Sequence, residues 1–426
     1  MAEVGEVIVG LDIGTTKVAA IIGEVTENGI DIIGVGTCPS EGLRQGVVVN
    51  IEATTNSIAQ AVQEAEQMAA VEVQSVFCGI AGGHIRGFSS LGQVSMRNRE
   101  VSDVDVARVI EQAKAVNIPL DRQIIHTLPL EYMIDGQGQI KDPIGMSGVR
   151  MEVRAHVITA ATTSVQNIIK CCNRAGLDVV DVVLEPLASA TAVLHDDERE
   201  LGVILIDIGG GTTDLAIYAE GTNVFTSVIV MGGHRITQDV AHGLHTSVGE
   251  AEAIKRKHGC ALVSLIDGDS SIEVAGVGPR PPRSFPRRFL GEVIEPRVEE
   301  ILLLAQEELQ QSGYMELAGS GIVITGGQSQ MEGMAEIVED IFQMPVRRGV
   351  PVHGACYGRH NPSLSEGGFA GVIQDPKFAT GVGLVLYGAA HEPLALSAEP
   401  ARIAHGGGDR RPGIGRRFAS WVRDMF

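Results

Sequence analysis

The sequence has little of what would direct a protein out of the cytoplasm or onto nucleic acid. None of its apolar runs approaches the roughly 20 residues that a membrane-spanning helix needs. Its first ten residues, MAEVGEVIVG, contain no basic segment followed by an apolar one, so we expect no secretory signal. The six cysteines form no CxxC pair, as is typical of structural thiols in a reducing compartment. A formal net charge of -20 argues against nucleic acid as a partner, because phosphate binding needs a positive field.

Two common phosphate-binding motifs are also missing, since the chain contains neither GxxxxGK[ST] nor GxGxxG. The composition is otherwise that of a globular protein, with 44% hydrophobic and 20% charged residues. A length of 426 residues predicts two or more packed units.

One phrase occurs twice, as GLDIGTTKVAAIIGE at residues 10–24 and as LIDIGGGTTDLAIYAEG at residues 205–221. Apolar runs flank each Asp-Ile-Gly, which predicts a strand, a glycine-rich turn and a second strand. Glycine lets backbone N–H groups converge on an anion, and an aspartate at a strand end can hold Mg²⁺ through water. A single copy is equally well explained as a tight turn. Two copies in the same order predict duplicated α/β halves that clamp one polyphosphate between them.

A third segment, GIVITGGQSQMEGMAEIVEDIF at residues 321–342, predicts a strand, a Gly-Gly turn and an amphipathic helix. A glycine pair lets a flat ring such as adenine approach the backbone.

These three motifs together resemble the phosphate-1, phosphate-2 and adenosine segments of the actin, Hsp70 and sugar-kinase superfamily. LEPLASATAVL (184–194) and KFATGVGLVLYGAA (377–390) are similar to its two interdomain hinges. The resemblance implies an α/β, actin-like (ribonuclease H-like, duplicated) two-domain ATPase fold with ATP and Mg²⁺ in its cleft. It places Asp12 and Asp207 near the metal. The phosphate contacts it implies are Gly14, Thr15, Thr16, Lys17, Gly209, Gly210, Gly211, Thr212 and Thr213, and the adenosine contacts are Gly326, Gly327 and Ser329.

An insertion of about eighty residues follows Gly83. Within it, VSDVDVARVIEQAKAVNIP predicts a helix with Ser102 as N-cap and Asp105 three residues on, ended by Asn117 and Pro119. Its apolar stripe is Val106, Val109, Ile110, Ala113 and Val116. Because the insertion contains no catalytic constellation, we interpret it as an interaction module.

The segments between the motifs indicate a narrower family. GLRQGVVVNIEATTNSIAQAVQEAEQMA, DPIGMSGVRMEV and SVGEAEAIKRKHGCAL resemble the FtsA family of bacterial cell-division proteins, and the resemblance extends to Gly388. It implies subdomain 1A at 1–83 (with 162–199 and 368–390), an inserted SHS2-type subdomain 1C at 84–161, subdomain 2A at 200–229 (with 318–367) and subdomain 2B at 230–317. It also implies that 1C contacts neighbouring protomers and later division proteins, and that Glu252 and Lys255 contact the nucleotide sugar. A solvated, charged helix face explains those two residues equally well.

An arginine cluster stands out in this acidic protein. GPRPPRSFPRRFLGEVIEPRVEE contains Arg280, Arg283, Arg287, Arg288 and Arg297. Arginines make bidentate contacts with carboxylates, so the cluster predicts a docking patch for a partly acidic peptide. A basic loop that stays solvated is the alternative. The family resemblance favours docking of the C-terminal tail of the tubulin-like protein FtsZ.

The last residues change in character. Residues 391–412 are rich in Gly, Pro, Ala and His and predict a flexible linker, whereas 413–426 predict a short amphipathic helix. Its apolar face is Ile414, Phe418, Trp421, Val422, Met425 and Phe426, and its cations are Arg416, Arg417 and Arg423. A cationic polar face on an acidic protein favours an anionic membrane surface over docking on its own domain. The resemblance likewise implies a membrane-targeting helix.

The sequence therefore predicts an ATP-binding, actin-like cell-division protein. We expect it to self-associate and to anchor FtsZ filaments to the cytoplasmic face of the membrane at the division site. An ATP-dependent sugar or acid kinase is the alternative, but no segment supplies an acceptor site with a general base. An Hsp70-like chaperone would need a peptide-binding domain, and only about forty residues follow Gly388. At most we expect a slow ATPase, and the sequence names no residue that would position the attacking water.

Overall fold

The computed structural model describes residues 4–96, 99–268, 270–278, 281–351 and 370–390. Within these ranges the chain forms eighteen strands and eleven α-helices.

The first half and the insertion come first along the chain. The first half begins with β1 (Val7–Ile13), β2 (Lys17–Thr26), β3 (Gly29–Pro39), β4 (Leu43–Arg44), β5 (Val47–Val48), α1 (Ile51–Ala69) and β6 (Ser75–Ile80). The insertion contains β7 (Arg86–Ser95), α2 (Asp103–Lys114), β8 (Arg122–Ile134), β9 (Gln137–Ile140) and β10 (Arg150–Ala161).

The chain then completes the first half and builds the second. The elements that lead out of the first half are α3 (Thr162–Arg174), β11 (Asp178–Leu184), α4 (Glu185–Val193) and α5 (Asp196–Leu201). The second half contains β12 (Val203–Ile208), β13 (Thr213–Ala219), β14 (Thr222–Ile229), α6 (Gly233–Leu244), α7 (Val248–His258), β15 (Ser271–Val274), β16 (Arg283–Pro286), α8 (Arg287–Ser312), β17 (Ile322–Thr325), α9 (Met334–Phe342) and β18 (Val346–Arg348). The last described helices are α10 (Ala370–Ile373) and α11 (Ala379–Ala390).

Two five-stranded sheets share one topology. The first has the order β3-β2-β1-β6-β11 and the second the order β14-β13-β12-β17-β18. In each, an antiparallel meander of three strands continues into two parallel strands. This repetition confirms the duplicated α/β architecture that the repeated phrase predicted.

The sheets are buried in apolar cores, and the second five-stranded sheet contributes residues to a core on each of its two faces. Strands β12 and β13 are buried along their whole length, which explains their near-continuous runs of Val, Ile and Leu. A second cluster of buried residues surrounds β1, β2, β6 and the two helices α4 and α11, and a third lies inside the insertion.

Helices α4 and α11, which form most of the two predicted hinge segments, pack against each other with their backbones in direct contact. A Cβ atom on Gly383 would overlap the carbonyl oxygen of Ala188, and one on Gly10 of β1 would overlap that of Gly381. Small residues in these segments therefore permit the close approach that the sequence predicted.

The insertion is a four-stranded sheet in the order β7-β10-β8-β9, with α2 on one face. The predicted cap of α2 is confirmed, since the Ser102 hydroxyl donates to Asp105 Oδ2 at 2.6 Å. The predicted apolar stripe was one residue too long: α2 ends at Lys114, because the chain turns at Ala115, and Val116 lies outside the helix.

The insertion also contacts the second half, where His156 Nε2 lies 3.0 Å from Thr226 Oγ1 on β14.

Replacing Gly383 by alanine tests the helix contact. Alanine normally stabilises a helix relative to glycine by up to about 1 kcal/mol. Here we expect overpacking against Ala188 to reverse the sign and cost about 1–3 kcal/mol, measured by urea unfolding.

Gly371→Ala in α10 is the matched control, because a Cβ there would meet nothing within 4 Å. It should be neutral or slightly stabilising. Equal unfolding curves for the two variants would contradict the close packing of the hinge helices.

Candidate functional site

A cleft of about 430 Å³ opens where the two repeated hairpins face each other. Its volume lies in the range of small-molecule sites. Its walls come from both halves and both hinge helices. The lining includes Asp12, Gly14, Thr15, Thr16 and Lys17 from the first hairpin, and Asp207, Gly209, Gly210, Gly211, Thr212 and Asp214 from the second.

The two hairpin turns approach each other so closely that side chains fit on only one of them. A Cβ on Gly210 would overlap the hydroxyl of Thr16, and a Cβ on Gly211 would overlap that of Thr15. Glycine is therefore required in the second turn by the threonines of the first. The resulting surface of backbone N–H and hydroxyl groups is of the kind that binds anions.

The start of α6 supports the second turn from behind. The backbone N–H of Gly233 donates to Gly209 O at 3.0 Å, and that of His234 donates to Gly210 O at 2.7 Å. Because the turn's carbonyls are held from this side, its shape is fixed before any ligand arrives.

Besides Glu252, four carboxylates line the cleft, namely Asp12, Glu185, Asp207 and Asp214. Lys17 Nζ lies 2.7 Å from Asp12 Oδ2, and Asp207 Oδ2 accepts a hydrogen bond of 2.6 Å from the Ser189 hydroxyl. Asp214 Oδ1 is buried without a hydrogen-bond partner. The site therefore concentrates more negative charge than its neighbours neutralise.

The pKa values of three of these carboxyl groups reflect the excess of negative charge. Burial, followed by the proximity of Asp12, raises the pKa of Asp207 to about 6, although the Ser189 hydrogen bond opposes the change. Burial and then the proximity of Asp207 raise the pKa of Asp214 to about 8. Burial also raises the pKa of Glu185, and the three aspartates raise it further. A bound cation would relieve this repulsion.

The donor set fits Mg²⁺ only in combination with a ligand. Within the described ranges, no three His, Cys, Asp or Glu side chains converge closely enough to hold a metal ion by themselves. Mg²⁺ in phosphate sites commonly takes one or two carboxylates and fills the remaining positions with water and phosphate oxygens. Asp12 and Asp207 suit that role, because each lies one residue before the end of the first strand of its hairpin and lines the cleft.

The predicted adenosine segment forms another part of the wall. Gly326 and Gly327 line the cleft after β17. At Gly326 the backbone is left-handed, with φ of 82°, and a Cβ would overlap Asp207 Oδ1, so only glycine fits.

Three predicted ligand residues lie behind the cleft wall. The Thr213 hydroxyl donates to Met231 O at 2.9 Å, and the Ser329 hydroxyl donates to Gly326 O at 2.7 Å. Lys255 is only 3% exposed, and its ammonium contacts Glu252 Oε2 at 2.8 Å. Glu252 itself lines the cleft.

The sequence interpretation missed several lining residues. Glu185 lies in a segment interpreted only as a hinge, and Asp214 follows a motif whose glycines attracted attention first. Arg256, Lys377 and Phe378 also line the cleft. The carboxylate that follows Thr-Thr in the second copy, GGGTTD, where the first copy has Lys17, was the available signal for Asp214.

The arginine cluster is largely occupied by contacts within the chain. Arg283 donates to Leu244 O at 2.9 Å, Arg287 pairs with Glu332, and Arg297 pairs with Asp239 at 2.6 Å. Arg288 is more open than Arg287 or Arg297, with 62% of its side chain exposed and a loose 3.4 Å pair with Glu292. Arg280 lies outside the described residues.

The predicted linker (391–412) and membrane helix (413–426) also lie outside the described residues. In the part that is described, no helix is both long and apolar enough to cross a bilayer.

Comparison with known proteins identifies the family. The family described as "Cell division protein FtsA" matches residues 204–383, and "SHS2 domain inserted in FTSA" matches residues 82–159. The chain is 47% identical over 423 residues to the cell division protein FtsA of Pseudomonas aeruginosa, an alignment that covers 99% of both chains. It is 40% identical to the Escherichia coli K12 protein of that name over 99% of this chain and 98% of the other.

Solved structures of low sequence identity share the fold. The PilM-PilN type IV pilus biogenesis complex gives a TM-score of 0.62 at 18% identity, covering 90% of this chain and 99% of that one. The MamK double helical filament gives 0.52 at 14% identity, covering 91% and 99%. The chain therefore has the actin-like fold and belongs to the FtsA family of cell division proteins.

Proposed function

We propose that this protein binds ATP with Mg²⁺ in the cleft between its halves and, in that state, links FtsZ filaments to the cytoplasmic face of the membrane at the division site. The observation that supports the nucleotide site most strongly is the pair of facing hairpins. Gly210 and Gly211 of the second hairpin lie so close to the threonines of the first that no side chain fits at either glycine.

Each half supplies part of the proposed ATP site. The phosphates contact the turns at 14–17 and 209–212, Asp12 and Asp207 hold Mg²⁺, and Gly326 and Gly327 receive the adenosine. Glu252 binds the ribose, while Lys255 holds Glu252 in place from the buried side. Thr213 and Ser329 act through the backbone carbonyls they support. Bound Mg²⁺ supplies positive charge that neutralises phosphate and carboxylate oxygens together.

The main role of ATP in this proposal is conformational. Any turnover needs a positioned water molecule, and Glu185 and Asp214 are the cleft carboxylates available to orient it. The kinase alternative is not favoured, because the relatives that match almost the whole chain are cell division proteins.

The second half provides the docking surface for FtsZ in this proposal. Arg288, at the exposed start of α8, is the arginine most free to meet a carboxylate of the FtsZ tail. Arg283, Arg287 and Arg297 shape the surface through their internal pairs.

Self-association and membrane attachment complete the proposed tether. The MamK neighbour is a double helical filament, which supports assembly of this fold into protomer chains, with the insertion contacting protomers and later division proteins. Residues 413–426 lie in the membrane interface, with Trp421 at the boundary and the arginines on anionic headgroups.

Gly210→Ala tests the nucleotide site. A methyl group there would push the second turn away from Thr16, so we expect Mg–ATP to bind at least about tenfold more weakly in calorimetric titration. Gly249→Ala in α7, where a Cβ meets nothing within 4 Å, should bind as the parent does. Parent-like binding by both variants would count against phosphate binding between the turns.

Asp214→Asn tests the buried negative charge. The folded-state pKa of about 8 lies above the ordinary value of 3.8, so the stability that the proton on Asp214 contributes is fully present below about pH 4 and is lost progressively as pH rises to about 8. Because asparagine stays neutral, we expect the nucleotide-free variant to melt above the parent by a margin that grows by a few degrees between pH 5.5 and pH 8.5.

The exposed Asp267 supplies the control, since Asp267→Asn should leave the melting temperature unchanged at both pH values. The same shift for Asp214→Asn at both pH values would contradict the proposed charge effect.

Flotation with phosphatidylglycerol liposomes tests the tether. With ATP and FtsZ polymers present, we expect the full chain to float and to carry the polymers, and a chain ending at Pro412 to remain below. Arg288→Glu should float but leave FtsZ behind, because it reverses the charge of the exposed docking residue. If neither full-length nor shortened chain binds lipid, the terminal helix does not serve as the membrane anchor.

A further inference from the structure

The tight turn between β4 and β5 contains a residue in an unusual conformation. Gln45 and Gly46 both have left-handed backbones, with φ of 52° and 75°. Glycine adopts this region freely, whereas a residue with a long side chain is uncommon there and its strain is a reason to look for a function. Nothing about the turn itself requires glutamine.

Gly46 seats this turn against the first phosphate hairpin. Its backbone N–H donates to Thr15 Oγ1 at 3.3 Å. A Cβ on Gly46 would come within 2.7 Å of Ala81 O, so the turn packs closely against the backbone at Ala81 and only glycine fits there. Both Gly46 and Ala81 line the cleft.

Gln45 reaches the other half of the molecule. Its side-chain amide Nε2 donates to the carbonyl oxygen of Val230, just after β14, at 3.4 Å. Residues 230–234 are the segment that supports the second phosphate hairpin: Met231 O accepts from the Thr213 hydroxyl, and two N–H groups of the segment bond the carbonyls of Gly209 and Gly210. One two-residue turn therefore contacts the first hairpin directly and the support of the second.

We propose that Gln45 is a positioning residue that couples the two phosphate hairpins across the cleft, so that the site closes on the terminal phosphate as one unit. This inference rests on the proposed binding of ATP. At 3.4 Å the Gln45 hydrogen bond is longer than the usual 2.9 Å, so the halves can approach while the bond strengthens.

The position of the turn predicts selectivity between nucleotides. Its contacts are with Thr15, Ala81 and Val230, whereas the adenosine residue Gly326 adjoins Asp207 and Ile208. We call the hydrogen bond from Gln45 Nε2 to Val230 O the bridge. Loss of the bridge should weaken binding of ATP more than binding of ADP, because only ATP has the terminal phosphate.

Two substitutions remove the bridge in different ways. Gln45→Gly removes the side chain and relieves the left-handed strain, so the variant should melt at or above the parent temperature. Gln45→Glu keeps the shape but replaces the amide donor with a carboxylate, which cannot donate to Val230 O.

Gln343→Gly is the matched control. Gln343 ends α9 with the same left-handed backbone, φ of 54°, and its amide donates only locally, to Asp340 O at 2.7 Å. The substitution relieves the same strain without touching the cleft.

The test uses the full-length chain and two measurements. Without nucleotide, hydrogen exchange should become about tenfold faster at residues 209–214 and 230–234 in both Gln45 variants and stay unchanged in Gln343→Gly. In titrations, Mg–ATP should bind both Gln45 variants about five- to tenfold more weakly, and Mg–ADP less than about twofold more weakly.

Three outcomes would contradict the inference, and they can be told apart. Exchange in the Gln45 variants that matches the Gln343→Gly control would overturn the bridge, whatever the nucleotide affinities. A parent protein that binds neither nucleotide would overturn the proposed ATP site and, with it, the role of Gln45 in that site. Equal weakening of ATP and ADP would overturn the selectivity for the terminal phosphate.

Discussion

The carboxylate of Asp207 is the point at which the cleft and the hinge meet. It lies one residue before the end of β12 and accepts a hydrogen bond from the Ser189 hydroxyl of α4. The Ser189 hydroxyl in turn lies 3.0 Å from Thr380 Oγ1 of α11. Gly326 approaches the same carboxylate from β17. A change in the charge at Asp207 therefore bears on both hinge helices and on the turn at Gly326. The rest of the molecule is arranged so that this buried acid is supported but not neutralised.

Much of the fold was predictable because it is encoded locally. Apolar runs around Asp-Ile-Gly specify strand, turn and strand, and a second copy of the phrase specifies a second sheet of the same order. The cap of α2 was predictable for the same reason, since Ser102 and Asp105 are three residues apart. The end of α2 was not, because Val116 has the right spacing for the stripe and only the turn at Ala115 excludes it.

The functional site was predictable where backbone conformation sets the residue type, and less so where tertiary packing sets its role. Gly210 and Gly326 could be inferred because no other residue fits a turn that approaches another chain segment. Lys255 looks like a ligand in sequence, but helix α7 turns its ammonium inward to Glu252. The arginines of the second half form a cluster in sequence, yet Arg283, Arg287 and Arg297 are held by contacts within the chain, and sequence spacing does not reveal partners as distant as Asp239 or Glu332.

The same charge distribution explains why a nucleotide could act as a conformational ligand here. A ligand shifts an equilibrium only by its difference in affinity for the two states. Without a bound cation, approach of the halves brings Asp12 of the first hairpin toward Asp207 and Asp214, which lie opposite each other in the second, so their repulsion opposes closure. A cation bound with phosphate reverses that sign, because the same carboxylates then attract it. The same carboxylates thus oppose closure without the ligand and favour it with the ligand. The close contact between Gly210 and Thr16 leaves the two hairpins little freedom to move sideways past each other.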